Sequence, residues 1–196
     1  MHEYFALYKP YHMLSQFTNE GSDKLCLKDI PYDFPKDAYP VGRLDYDSEG
    51  LLLLTNDTRV NTRLLSPTQG HEREYWVQVE GTPTQEFIDA LQKGVLINVD
   101  GKNVFTRAVS ARILPGEPAI PPRNPPIRYR ANIPDGWVAL VLTEGKNRQV
   151  RKMTAACGFP TLRLVRYRIE EISIDNMQPG DVQVISRNEF YRQVRL

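Results

Sequence analysis

Four consecutive leucines, Leu51 to Leu54, stand between Gly50 and the polar sequence Thr55-Asn56-Asp57. An apolar run of that length, closed at both ends by turn-forming residues, predicts a short strand buried on both faces, the kind of element around which a sheet assembles. The residues just ahead of it are polar. Tyr39 to Asp57 reads YPVGRLDYDSEGLLLLTND, with Asp45, Asp47 and Glu49 before the leucines and Arg43 two residues before the first carboxylate. A carboxylate fixed on so rigid a base can do chemistry. The spacing Asp45-x-Asp47-x-Glu49-Gly50 copies the opening of a calcium loop, but the twelfth position is Asn56, where that loop needs a bidentate Glu. No metal site is expected.

The rest of the chain supplies partners for that strand. Glu3 to Lys9 alternates as a strand and Pro10 ends it, Tyr11 to Asp37 reads as a loop with a short helical turn near Leu25 to Ile30, and Thr58 to Leu65 has helical spacing stopped by Pro67. Glu72 to Glu80 (EREYWVQVE) alternates, with Tyr75, Val77 and Val79 on one face. Thr82 to Glu86 is a capped helix start running to Gly94, and Asp100-Gly101 predicts a hairpin between residues 95–99 and 104–114. Pro115 to Pro126 holds six prolines and is read as a surface loop. Trp137 to Leu142 is a buried strand, Asn147 the expected N-cap of a helix from Arg148 to Ala156, Thr161 to Ile169 an alternating strand, and Val182 to Ile185 a last strand. Strands and helices in this order predict an α+β fold: a mixed, mostly antiparallel central sheet with flanking helices, in two connected lobes with the active site in the cleft between them.

Charge narrows the function. The net charge of +1 hides a polarity: residues 1–100 carry 9 Lys/Arg against 16 Asp/Glu, residues 101–196 carry 16 against 8. A basic C-terminal half predicts a polyanionic partner. From Lys146 to Arg168 there are seven cations (Lys146, Arg148, Arg151, Lys152, Arg163, Arg166 and Arg168) and no acid. On a helix Arg148, Arg151 and Lys152 share one face, a cost in stability unless an anion answers it. RNA phosphates would do so, and so would one ionised carboxylate. Cys26 and Cys157 have neither metal-type nor disulfide-framework spacing, which together with an N-terminus unlike a signal peptide and no membrane-length apolar run leads to the expectation of a cytoplasmic protein.

GRLDYDSEGLLLLTND, followed by REYWV and then EGKNRQVRKM, resembles three successive motifs of pseudouridine synthases, in particular the RsuA-like branch that modifies ribosomal RNA. KPYHMLSQ at Lys9 to Gln16 and RLVRYRI near the end are similar to its first and last motifs, so the resemblance runs from Tyr4 to about Pro179. Within the branch it is nearest to RluE-like enzymes acting on large-subunit rRNA, which lack the N-terminal S4 RNA-binding domain of most members. The resemblance implies a single catalytic domain over residues 1–196 without an S4 domain, acting as a monomer on rRNA, 23S in particular, with no cofactor. A catalytically silent RNA-binding module and action on a tRNA uridine are the alternatives. A glycosidase using Asp45 with Asp47 or Glu49 gives the basic half no role.

Carried over by position, the resemblance implies that Asp45 is the catalytic carboxylate, Tyr75 the active-site tyrosine and Arg151 the cation paired with Asp45. Making pseudouridine breaks the N1–C1′ bond, turns the base, joins C5 to C1′ and removes the C5 proton. A carboxylate can attack C1′ or take the C2′ proton, and both roles demand the ionised form that a neighbouring guanidinium favours. Tyr75 offers a ring for the base and a phenol near the departing proton. The target uridine must leave its stack. Arg43 is expected to fill the vacated space or hold a neighbouring phosphate, and Lys146, Arg148, Lys152 and Arg166 are candidate phosphate contacts.

Overall fold

The computed structural model describes residues 2–127 and 133–196. The chain divides into two compact units, Met1–His71 with Arg166–Leu196, and Glu72–Val165. In chain order the first unit begins with β1 (Tyr4–Lys9), β2 (Met13–Leu14), β3 (Leu25–Cys26), β4 (Tyr39–Pro40), β5 (Glu49–Thr55) and α1 (Thr58–Leu65). The second unit holds β6 (Arg73–Glu80), α2 (Gln85–Lys93), β7 (Val95–Val99), β8 (Lys102–Thr106), β9 (Ser110–Ile113), β10 (Asp135–Leu142) and α3 (Gln149–Ala156). Strand β11 (Thr161–Ile169) carries the chain back to the first unit, which closes with β12 (Ile172–Ser173), β13 (Val182–Ile185) and α4 (Arg187–Gln193). Among the described residues no helix is long and apolar enough to cross a membrane.

In the first unit β1 lies antiparallel between β13 and β5, with Tyr4 opposite Ile185 on one side and Thr55 on the other. The four leucines of β5 are completely buried. Leu52 and Leu54 pack with Phe5, Leu7, Met13, Leu27 and Ile30 in one core, each such side chain contributing about 2 kcal/mol by leaving water. The helical turn expected near Leu25 is a single 3₁₀ turn, Leu27–Asp29. Asp57 caps α1 and also accepts from the Tyr4 and Tyr191 hydroxyls at 2.9 and 2.7 Å. Tyr191 belongs to α4, a helix with no counterpart in the expectations; Phe190 beside it packs on the Tyr4 ring, 4.7 Å between centroids.

In the second unit β10 lies antiparallel between β6 and β9. The hairpin expected around Asp100-Gly101 forms as β7–β8, Val95 opposite Thr106. Its second arm does not run on to residue 114. The chain leaves the hairpin after Thr106 and β9 joins β10 instead, so the apolar alternation of 104–114 is shared by two sheets. A second difference falls at α3, which starts one residue later than expected: Arg148 is the N-cap, in the left-handed region at φ 52°, and Asn147 lies before it. Both units are strands and helices with mostly antiparallel pairing, the predicted α+β class.

Candidate active-site residues

In the first unit Asp45 sits in a tight turn, Ser48 N–H donating to the Asp45 carbonyl at 3.0 Å, just ahead of β5. The turn is tied down through main-chain atoms. The buried Ser15 hydroxyl donates to the Leu44 carbonyl at 2.8 Å and accepts from the Leu44 N–H at 3.0 Å, gripping the residue before Asp45 on both sides. After the turn, Gly50 has φ +103° and a side chain there would come within 2.3 Å of the Arg166 carbonyl, so only glycine lets the chain enter β5 this close to its neighbour.

Opposite Gly50 stands Lys9, the last residue of β1, fully buried. Its ammonium donates to the Pro10 and Met13 carbonyls at 2.9 and 2.8 Å. Burial pulls the Lys9 pKa down to about 7; Glu49, Asp47 and Asp45 pull the other way, and the Arg166 charge adds to the fall. Arg166 is buried as well, its Nε donating to the Leu51 carbonyl at 2.7 Å. Arg43 is exposed and Asp45 partly so. This unit therefore gathers Arg43, Asp45 and Arg166 around the entrance to β5, with Lys9 and Ser15 as supports that sequence reasoning missed. A lysine ending an alternating strand before proline carries no sign of being interior. Its burial comes from carbonyls that the following turn folds back over it.

In the second unit Tyr75 lies on β6 opposite Leu140 and is 8% exposed. It shares an apolar cluster with Val77, Leu140, Leu164 and, from α3, Val150 and Met153. Arg151 lies between those two anchors on α3 and is half-buried. Tyr75 and the helix bearing Arg151 are thus brought together by one core.

The segment leading into α3 is held by side chains. Gln149, buried, donates from Nε2 to Thr106 Oγ1 at 2.6 Å and to Glu144 Oε1 at 2.7 Å, while its Oε1 accepts from the Lys146 N–H at 2.9 Å. Thr106 also donates to Glu144, and Lys146 forms an ion pair with it. Burial opposes ionisation of Glu144, but the hydrogen bonds from Lys146, Thr106 and Gln149 and the Lys146 charge outweigh it and hold the carboxyl below its usual range. Glu144 and Gln149 also went unpredicted. The E-G-K-N-R-Q spelling gives no hint that the Gln closes back onto the Glu, because Thr106, the third member, is far away in sequence.

The seven cations of this region separate by surroundings. Arg163 donates to the Pro121 carbonyl at 2.8 Å and holds the proline-rich loop; Arg168 donates to the Glu170 carbonyl at 2.9 Å; Lys146 and Arg166 have the partners already named. Arg148 is exposed at the start of α3, and Arg151 and Lys152 are half-buried within it. Since Arg148 precedes the helix, it is not one of three cations on a helical face. No acid occupies the first turn of α3, and Arg148 at its N-cap leads into Arg151 and Lys152 within the helix.

A sequence model of the RNA pseudouridylate synthase family matches residues 3–156. The chain belongs to that family. It is 48% identical over 174 residues to ribosomal large subunit pseudouridine synthase E of Xanthomonas axonopodis pv. citri, covering 88% of each chain. It is 46% identical over 172 residues to the protein of that name from Vibrio parahaemolyticus, covering 88% of this chain and 69% of the relative. Ribosomal large subunit pseudouridine synthase B of Bacillus subtilis is 31% identical over 189 residues, 96% of this chain and 70% of the relative. Among solved structures, a crystal structure of a pseudouridylate synthase superposes over 99% of this chain and 74% of its own with a TM-score of 0.76 and 25% identity. Human RNA pseudouridylate synthase domain containing 1, at 13% identity and a TM-score of 0.58 over 98% of this chain and 91% of its own, shares the fold.

Proposed function

We propose that the protein isomerises a specific uridine of large-subunit rRNA, 23S rRNA, to pseudouridine, without cofactor, as a monomer in the cytoplasm. The observation that carries this reading is the 45–48% identity, over most of the chain, to relatives named large subunit pseudouridine synthase E. The chemistry is an internal exchange: N1–C1′ breaks, the uracil turns, C5–C1′ forms, and the proton leaving C5 is balanced by one gained at N1.

In this reading Asp45 is the carboxylate that acts on the sugar, Tyr75 supplies the ring against which the uracil lies and a phenol near C5, and Arg151 is the cation that answers the carboxylate. Arg43, exposed two residues before Asp45, enters the space the uridine vacates or takes an adjoining phosphate. Arg148, exposed at the N-cap of α3, is the phosphate contact best supported by its place, with Lys152 one turn further along the helix. The ion pair of Lys146 with Glu144 and the burial of Arg166 make these two supports for the loop and for β5 first, and phosphate contacts second.

The test is incubation of unmodified rRNA from both ribosomal subunits, and of tRNA, with wild type and Asp45→Asn, mapping pseudouridine by chemical probing. Wild type is expected to yield one product in the large-subunit RNA and Asp45→Asn none. Product from both proteins or from neither would refute the assignment, and product in tRNA alone would move it to another substrate.

A further inference from the structure

Beside the Asp45 turn stands a stack of side chains to which none of the roles above gives a task. The Tyr11 and His12 rings stack with centroids 3.8 Å apart and planes 25° apart, and His12 stacks on Tyr46 at 4.8 Å and 7°. The Lys24 ammonium lies over the Tyr46 ring, 4.9 Å from its centroid. Tyr46 and His12 are partly exposed and Lys24 is exposed, so the stack reaches solvent.

The stack is assembled at some cost from three stretches of chain. His12 is held in the left-handed region, φ 55°, where a side chain other than glycine's is strained. Lys9 grips the carbonyls of Pro10 and Met13 on either side of Tyr11-His12, and the parallel pairing of β2 with β3, Met13 opposite Leu25, sets Lys24 next to that turn. Tyr46 follows Asp45 directly, so the Ser15 clamp on Leu44 fixes its backbone too. A strained, buried-anchored set of stacked rings ending in an exposed cation is more than core packing calls for.

Its composition matches what unpaired RNA needs. When a uridine leaves its stack, the next base loses a neighbour, and an aromatic ring can replace the missing face while a cation takes the phosphate. We propose that the Tyr46 ring, backed by His12, is the docking position for an unpaired nucleotide adjoining the target uridine. Its base stacks on the face Lys24 now covers, and the long Lys24 side chain swings off to the nucleotide's phosphate. The inference rests on the pseudouridine synthase reading and adds to it a binding position beside Asp45 for a neighbour of the reacting nucleotide.

The test uses an unmodified large-subunit rRNA transcript, measuring its dissociation constant and the single-turnover rate of pseudouridine formation at saturating RNA. Tyr46→Ala is expected to weaken binding about 10-fold, the scale of one base–aromatic stack, with the saturating rate changed far less. Tyr46→Phe should restore affinity. Lys24→Ala should weaken binding by a smaller factor and lower the salt slope by about one. A Tyr46→Ala protein that binds as wild type does, or that loses rate at saturation while keeping its affinity, overturns the proposal; in the second case the ring merely braces Asp45. A wild-type protein that forms no pseudouridine overturns the function itself and this docking position with it, an outcome distinct from an active wild type with an indifferent Tyr46.

Discussion

The turn that carries Asp45 and the segment that leads into α3 are both polar stretches hung on buried strands, and main-chain grips are prominent in the first, side-chain pairs in the second. Around Asp45 buried side chains grip the main chain: Ser15 on both sides of Leu44, Lys9 on the Pro10 and Met13 carbonyls, with Gly50 admitting the Arg166 carbonyl. Ahead of α3 the restraints are side chains holding one another, Glu144 with Lys146, Thr106 and Gln149. Main-chain restraints fix the position of an attached carboxylate with little regard to salt. A charged side-chain network is more open to screening by salt, which bears on a segment proposed to meet a polyanion.

The contrast can be broken by substitution, and the largest expected effect is Gly50→Ala. With φ +103° and backbone 2.3 Å from the added carbon, it should cost the fold about 3 kcal/mol or more, read as a lower urea midpoint. A neutral Gly50→Ala would show that the entrance to β5 yields. Gln149→Ala is expected to cost less, about 1–3 kcal/mol, because it strips partners from Thr106 and Glu144 that water can partly replace. RNA affinity should fall with it while the saturating rate changes little.

A third effect is a slope with pH. Because the Lys9 pKa is lowered on folding, from 10.5 to about 7, the unfolded chain binds the extra proton between those values. Stability should therefore rise with pH above 7. Denaturant midpoints from pH 7 to 9.5 should show this rise in wild type and a flatter course in Lys9→Met, although that variant is the less stable of the two. A slope unaltered by Lys9→Met would mean that the lysine is not held as described. The smallest effect concerns salt. Arg148→Ala, at an exposed position, should reduce the salt dependence of RNA binding by about one unit of slope, and Lys146→Ala, at a part-buried residue paired with Glu144, by less. Equal slopes would erase the distinction drawn between them.

How far the sequence alone reaches differs between elements for a physical reason. The buried β5, the alternating β6 and the Thr84-capped α2 could be read directly, because each is specified by residues within its own span. Elements set by distant partners could not. The split of residues 104–114 depends on Thr106 being needed by Glu144, the start of α3 on Gln149 reaching back to Lys146, and α4 on Phe190 finding Tyr4 and Tyr191 finding Asp57. For the site, the acidic turn and the basic tract stood out by composition, but roles for Asp45, Tyr75 and Arg151 came from family resemblance. Lys9 and Arg166 illustrate the limit: nothing in the pattern marks these cations as interior, where backbone carbonyls take the place of water.

The central claim is that the Asp45 carboxylate performs the chemistry while the basic segment supplies affinity. It is tested most directly by measuring, on one unmodified large-subunit rRNA transcript, the dissociation constant and the single-turnover rate of Asp45→Asn beside wild type. The account predicts an affinity within a few-fold of wild type and a rate lower by at least about 100-fold. Pseudouridine formed by Asp45→Asn at close to the wild-type rate would contradict it.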